Sequence, residues 1–79
     1  MICYAIKNNN GEYFGIDRDA QWFWEEKILF AYFFRDMGKS NGKLLATNFR
    51  NNHFPKCKVV KVEIKEIKDG KIDTKEWIF

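Results

Sequence analysis

Residues Cys57–Ile67, CKVVKVEIKEI, alternate in polarity from Val60 to Lys65. Val60, Val62 and Ile64 fall on one side of an extended chain, and Lys61, Glu63 and Lys65 fall on the other. Strand side chains alternate between faces, so a period of two is that of a strand half-buried on a hydrophobic core. Outward from it, Lys68-Asp69-Gly70 is a turn, and Ile72–Phe79 reads as a last strand. Upstream, Ser40–Asn51 reads as a helix. Ser40 can cap its N-terminus, Leu44, Leu45, Asn48 and Phe49 form its apolar stripe, and Asn51-Asn52 followed by Pro55 ends it.

At the other end, Ile2, Tyr4 and Ile6 alternate with Cys3, Ala5 and Lys7. Asn8-Asn9-Asn10-Gly11 then turns the chain back into Glu12–Ile16, since Asn and Gly tolerate the positive φ of a tight hairpin. The stretch Asp17–Met37 fits two patterns. As a helix it would start at Asp19 and stop at Gly38, but Glu25, Glu26, Lys27, Arg35 and Asp36 scatter around its circumference and leave no polar face. As a strand within Leu29–Phe34, entered through a turn at Glu25-Glu26-Lys27, its apolar run suits burial, and the strand is preferred. The order is β-β-β-α-β-β: a single α+β domain over 1–79, in two layers, with a mostly antiparallel sheet and one helix on one face.

Seventy-nine residues leave room for one core, and 14 of them are aromatic, which gives a thin core large buried area per side chain. Met1-Ile-Cys-Tyr runs directly into the first strand, so no signal peptide is expected. The longest apolar run, Ile28–Phe34, is too short to cross a bilayer. Cys3 and Cys57 have no CxxC spacing and read as reduced, buried thiols of a cytoplasmic protein. They could approach each other if the first and fourth strands are neighbours.

Charge is uneven. Residues 1–38 hold four Lys/Arg against six Asp/Glu, and residues 39–79 hold ten against five. The segment 39–58 contains Lys39, Lys43, Arg50, Lys56 and Lys58 and no acid. Interleaved with asparagines, His53, Phe49 and Phe54, it has the make-up of an RNA or DNA contact: cations for phosphate, amides for base edges, rings for unpaired bases. Phe49 also belongs to the helix stripe, which argues for a place in the core. Lys61, Glu63 and Lys65 read as a solvated sheet face whose edge lysines oppose strand addition.

Catalytic signals are weak. His53 is the only histidine, and a zinc site would lack ligands. A Cys–His pair would have neither an orienting third residue nor an oxyanion-hole motif. Glu25/Glu26 and Asp17/Asp19 fit turns and caps. Ser40-Asn41-Gly42-Lys43 lacks the full phosphate-binding loop. No enzymatic activity, cofactor or metal is expected. By contrast, Trp22, Phe23 and Trp24 cannot all point into a one-sided core, so at least one ring should face outward, where tryptophan dominates binding energy.

Taken together, the hairpin YAIKNNNGEYF, the segment WEEKILFAYFF and CKVVKVEI after a short helix resemble small proteins encoded by phages and prophages of low-GC Gram-positive bacteria. In that group a Tyr-x-Ile-Lys-Asn-x-x-Gly-x-Tyr hairpin precedes a Trp…Ala-x-x-Phe strand, a helix and a Lys-Val-Val-x-Val-Glu-Ile strand. The resemblance covers most of residues 4–64. It implies a fold, a mobile-element origin and the cytoplasm of an infected or lysogenic bacterial host, and it assigns no residue a role. The expectation is a non-enzymatic phage protein, monomeric or homodimeric, that occupies a surface of a host protein or nucleoprotein complex. The task would be to inhibit a bacterial defence system, in the manner of an anti-CRISPR protein, or a nucleic-acid-handling enzyme. Its contacts would be Trp22, Trp24, Lys39, Lys43, Arg50, Lys56 and Lys58. One alternative is a small RNA- or DNA-binding accessory protein using the same basic segment. Another is a structural homo-oligomer closing through the C-terminal strand.

Overall fold

The computed structural model describes residues 1–78, with every side chain among them except those of Lys68 and Ile78. The elements are β1 (Ile2–Lys7), β2 (Tyr13–Ile16), β3 (Trp22–Glu25), a 3-10 turn at Ile28–Phe30, α1 (Gly42–His53), β4 (Lys58–Ile67), a second 3-10 turn at Lys68–Gly70, and β5 (Lys71–Ile78). They build one five-stranded antiparallel sheet, ordered β3-β2-β1-β4-β5, with α1 packed on one face. The α+β domain with its β-β-β-α-β-β order is thus what the alternating patterns predict. The chain's closing apolar residue, Phe79, lies outside the described residues.

The hydrophobic core lies on both faces of the sheet. Under the helix, Ile6, Phe14, Phe34 and Val59 pack against Ala46. On the opposite face, Cys3, Ala5, Tyr13, Val60 and Val62 pack against Ile28, Ala31 and Phe33. The Val60/Val62 stripe that marks β4 in the sequence therefore faces away from α1. Its cover is the run 28–33, which crosses the back of the sheet without forming a strand of its own.

That arrangement corrects the third strand. It is Trp22–Glu25 and not Leu29–Phe34. Asp17 reverses the chain by accepting hydrogen bonds from the N–H groups of Asp19 and Gln21, both 2.9 Å, while Ala20 adopts φ +60. An Asx-type turn satisfies the backbone as a helix cap would, so the same aspartates serve a hairpin instead. β1 and β2 pair at Lys7–Tyr13, and the extended residues 32–34 take up groups further along both strands. Tyr32 N–H donates to the Phe14 carbonyl at 2.8 Å, and Phe34 bridges Tyr4.

The helix begins two residues later than the sequence suggests. Asn41, not Ser40, is the cap, its Oδ1 accepting from Leu44 N–H at 3.1 Å. The buried stripe also differs: Ala46 faces the sheet with Phe49 beside it and Gly42 is buried against residues 35–36, whereas Leu44 is 58% exposed. Two small residues let the helix lie close. A Cβ on Gly42 would come within 2.7 Å of the Arg35 backbone. Gly38 is no helix terminus; with Lys39 it forms a tight turn between the bridged residues Met37 and Ser40.

Lys61 and Lys65 lie on an interior strand, since β4 runs between β1 and β5. The exposed edges are β3 and β5. β1 and β4 are neighbours, but the cysteines do not approach. Cys3 pairs with Val62, and Cys57 is five residues further along, about 17 Å at a strand's rise. Both thiols are free, Cys3 buried against the Val62 carbonyl and Cys57 half-buried. Burial raises the pKa of each above that of an ordinary thiol. No helix among the described residues is long and apolar enough to cross a membrane.

Candidate interaction surface

Strand alternation sorts the three successive rings of β3. Trp22 and Trp24 lie opposite Ile16 and Phe14 on the helix side, and Phe23 lies opposite Gly15 on the back. Gly15 is required there, because a Cβ would collide with the Phe23 ring and the Phe30 carbonyl. Trp24 is half-buried, with its ring 5.1 Å from Phe54. Trp22 is 50% exposed. One side of its ring packs edge-on against Phe14 at 5.4 Å and His53 at 5.1 Å, and Phe49 follows at 5.5 Å. The outward ring expected from the sequence is Trp22.

The basic residues are not brought together. Lys39 sits in the turn before α1 and Lys43 in its first turn, at the far end of a 12-residue helix that is about 18 Å long. Arg50, near the other end, is half-buried and acts as a brace. Its Nη1 meets the Cys57 carbonyl at 3.5 Å, and its Nε is buried without a partner. Lys56 lies in the turn after the helix, beside Phe54. Lys58 faces the back of the sheet opposite Lys7. Of the seven residues proposed from sequence, Trp22 and Trp24 share one aromatic cluster, and the five cations spread over both helix ends and the opposite sheet face.

Next to that cluster is a feature the sequence reading missed. A groove of about 530 Å³ opens between α1 and the segment 31–37, lined by Met1, Ile16, Ala31, Tyr32, Phe33, Phe34, Arg35, Met37 and Leu45. Ile16, in its wall, is the cross-strand partner of Trp22. Tyr32 stacks edge-on to Phe34 at 5.0 Å, and the rim residues Met1, Tyr32, Met37 and Leu45 are all exposed, Met37 at 69%. Arg35 is the one charged side chain of the lining, and its guanidinium meets the Met1 sulfur at 3.7 Å. The available signal was the apolar run of 28–34, too long for one-sided burial; the two adjacent leucines of α1 gave none, because the sequence pattern places both in the buried stripe.

On the back of the sheet, Glu76 accepts from Lys7 Nζ at 3.2 Å and from the Tyr13 hydroxyl at 3.0 Å. Burial raises the Tyr13 pKa, and the bond to Glu76 adds to the rise. Burial alone would lower that of Lys7, but the bonds to Glu76 and Tyr13 outweigh it and hold the ammonium. The trio ties β5 to the first hairpin. Among the described residues no cluster of three His, Cys, Asp or Glu side chains is placed to hold a metal. No family model, curated protein or solved structure matches the chain.

Proposed function

We propose that this chain works by stoichiometric binding to another protein, through the groove between α1 and the segment 31–37 together with the adjoining face of Trp22. The supporting observation is the continuity of exposed apolar side chains there. Met1, Tyr32, Met37 and Leu45 line one concavity, and Ile16 in its wall is the cross-strand partner of the exposed Trp22, whereas surface apolar residues of a self-contained monomer are ordinarily scattered. Tryptophan, tyrosine and methionine are the side chains that supply contact area in interface centres. Arg35 in an otherwise apolar wall selects a partner segment that offers an apolar anchor beside a carboxylate. The dispersal of Lys39, Lys43, Arg50, Lys56 and Lys58 favours a protein over a nucleic acid, because phosphate backbones are tracked by contiguous cations.

The resemblance to phage and prophage proteins extends this proposal to the partner: a defence or nucleic-acid-handling enzyme of a bacterial host, blocked in the cytoplasm without any turnover. The test is capture from nuclease-treated host lysate by immobilised wild type, Met37→Glu, and Lys39→Glu/Lys43→Glu. Met37 is exposed, so a charge at that position leaves the core intact. The expected result is a partner retained in fixed ratio by wild type and by the lysine variant, and lost with Met37→Glu. Capture abolished by nuclease or by the lysine substitutions would establish the nucleic-acid alternative instead.

A further inference from the structure

Among the described residues the sheet ends at β5, which pairs with β4 on one side and with no strand on the other. An open edge is a template for one more strand. Alternation puts Lys71, Asp73, Lys75 and Trp77 on one face and Ile72, Thr74 and Glu76 on the other.

We propose that two copies of this chain pair antiparallel through β5, about a two-fold axis at Thr74, joining their two five-stranded sheets into one. An axis normal to the sheet keeps each side chain on its own face, so only registers centred on a residue are open. Centring on Thr74 sets Asp73 opposite Lys75 of the second copy, twice over, and Lys71 opposite Trp77. Within each chain Asp73 already faces Lys65, and Lys75 faces Glu63. Each row across the junction then runs Lys65, Asp73, Lys75, Glu63, alternating in sign throughout. Opposite charges directly across a sheet stabilise and like charges destabilise. Centring on Asp73 or on Glu76 sets two carboxylates together. Centring on Lys75 sets two ammonium groups together, and centring on Ile72 runs the strand into the Lys68–Gly70 turn. Lysines on an edge strand ordinarily repel a further strand; here each lysine finds its counterpart on the same edge of a second copy.

The other face supplies an independent reason. Ile72 is 51% exposed and, with Thr74, lines a groove of about 430 Å³ shared with Lys27, Ile28, Leu29 and Phe30. An axis at Thr74 sets Ile72 opposite Glu76 of the second copy and brings the Thr74 ends of the two grooves edge to edge. β3 is the opposite edge of the sheet, so the dimer leaves both Trp22 surfaces free at its ends, and neither proposal depends on the other.

Sedimentation equilibrium of the intact chain at low salt is expected to show a mass rising with concentration from 9.5 kDa to twice that value. Asp73→Lys and Lys75→Asp each return the monomer, and an equimolar mixture of the two variants restores the doubled mass, since each supplies the charge the other lacks. A monomer at every concentration, a dimer indifferent to both substitutions, or a mixture that stays monomeric would overturn the proposal. If either variant fails to fold, Thr74→Cys carries the test. Directly opposed strand residues lie about 4.5–5.5 Å apart between Cα atoms, within disulfide range, so mild oxidation should cross-link Thr74→Cys into a dimer and leave Asp73→Cys uncoupled. Failure to cross-link at Thr74 would equally overturn it.

Discussion

Phe34 and Tyr4 exchange two backbone hydrogen bonds, Phe34 N–H to the Tyr4 carbonyl at 2.7 Å and Tyr4 N–H to the Phe34 carbonyl at 2.8 Å. This exchange anchors the end of the segment that covers the back of the sheet. The Phe34 ring drops into the helix-side core beside Phe49, so one residue fastens material to both faces.

Phe34→Ala is accordingly expected to cost about 3–5 kcal/mol, the range for truncating a buried ring. A domain of this size has only about 4–12 kcal/mol in total. Phe30→Ala, four residues away but 58% exposed, should cost less than about 1 kcal/mol. Urea unfolding of the two variants checks the contrast, and similar midpoints would show that the segment is not anchored at Phe34.

Two glycines are required by proximity. Gly15→Ala forces a methyl group into the Phe23 ring, and Gly42→Ala forces one against the Arg35 backbone. Each should lose about 1–3 kcal/mol as an overpacked site, although alanine ordinarily favours a helix over glycine. A Gly42→Ala variant more stable than wild type in thermal unfolding would mean that α1 sits further from residues 35–36.

The helix cap distinguishes two neighbours. Asn41→Ala should lower stability by about 1 kcal/mol through loss of the bond to Leu44 N–H. Ser40→Ala should fall within about 0.5 kcal/mol of wild type. Paired denaturant curves decide between them.

Stability should fall on the alkaline side. Cys3, Tyr13 and Lys7 all hold their protons more tightly in the fold than in the unfolded chain. Groups with raised folded pKa values contribute fully below their unfolded values and lose that contribution as pH rises through the folded ones. The melting temperature is expected to hold steady up to about pH 8.5 and decline above it, through the thiol, phenol and ammonium ranges in turn. Glu76→Gln removes the partner that holds Lys7 and Tyr13, so its decline should be shallower in the upper part of that window.

The strands were legible because alternation leaves a direct mark on sequence, and the Asn8–Gly11 and Lys68–Gly70 turns carry residues suited to positive φ. The third strand was hidden because its preceding turn uses Ala20 at φ +60, a conformation alanine does not announce. The helix stripe was misplaced because burial here follows close approach: Gly42 fits against the Arg35–Asp36 backbone and Ala46 against the sheet, where leucine would not. An outward ring was foreseeable from three rings in a row; that it is Trp22 was not, since alternation places Trp22 and Trp24 on the same face. The groove was not, since Met1, Tyr32, Met37 and Leu45 are distant in sequence and converge only when the back-crossing segment returns past Phe34. The cations looked like one patch along the chain and separate once α1 and β4 place them.

Binding of a partner protein in the apolar groove between α1 and the segment 31–37, as proposed above, can be measured in solution. Its most direct test is calorimetric titration of the purified captured partner with wild type, Met37→Glu and Leu45→Glu, at low and high salt. Affinity should change little with salt and fall at least tenfold in both variants while their melting temperatures stay near that of wild type. Affinity that collapses with salt and is untouched by Met37→Glu would contradict it.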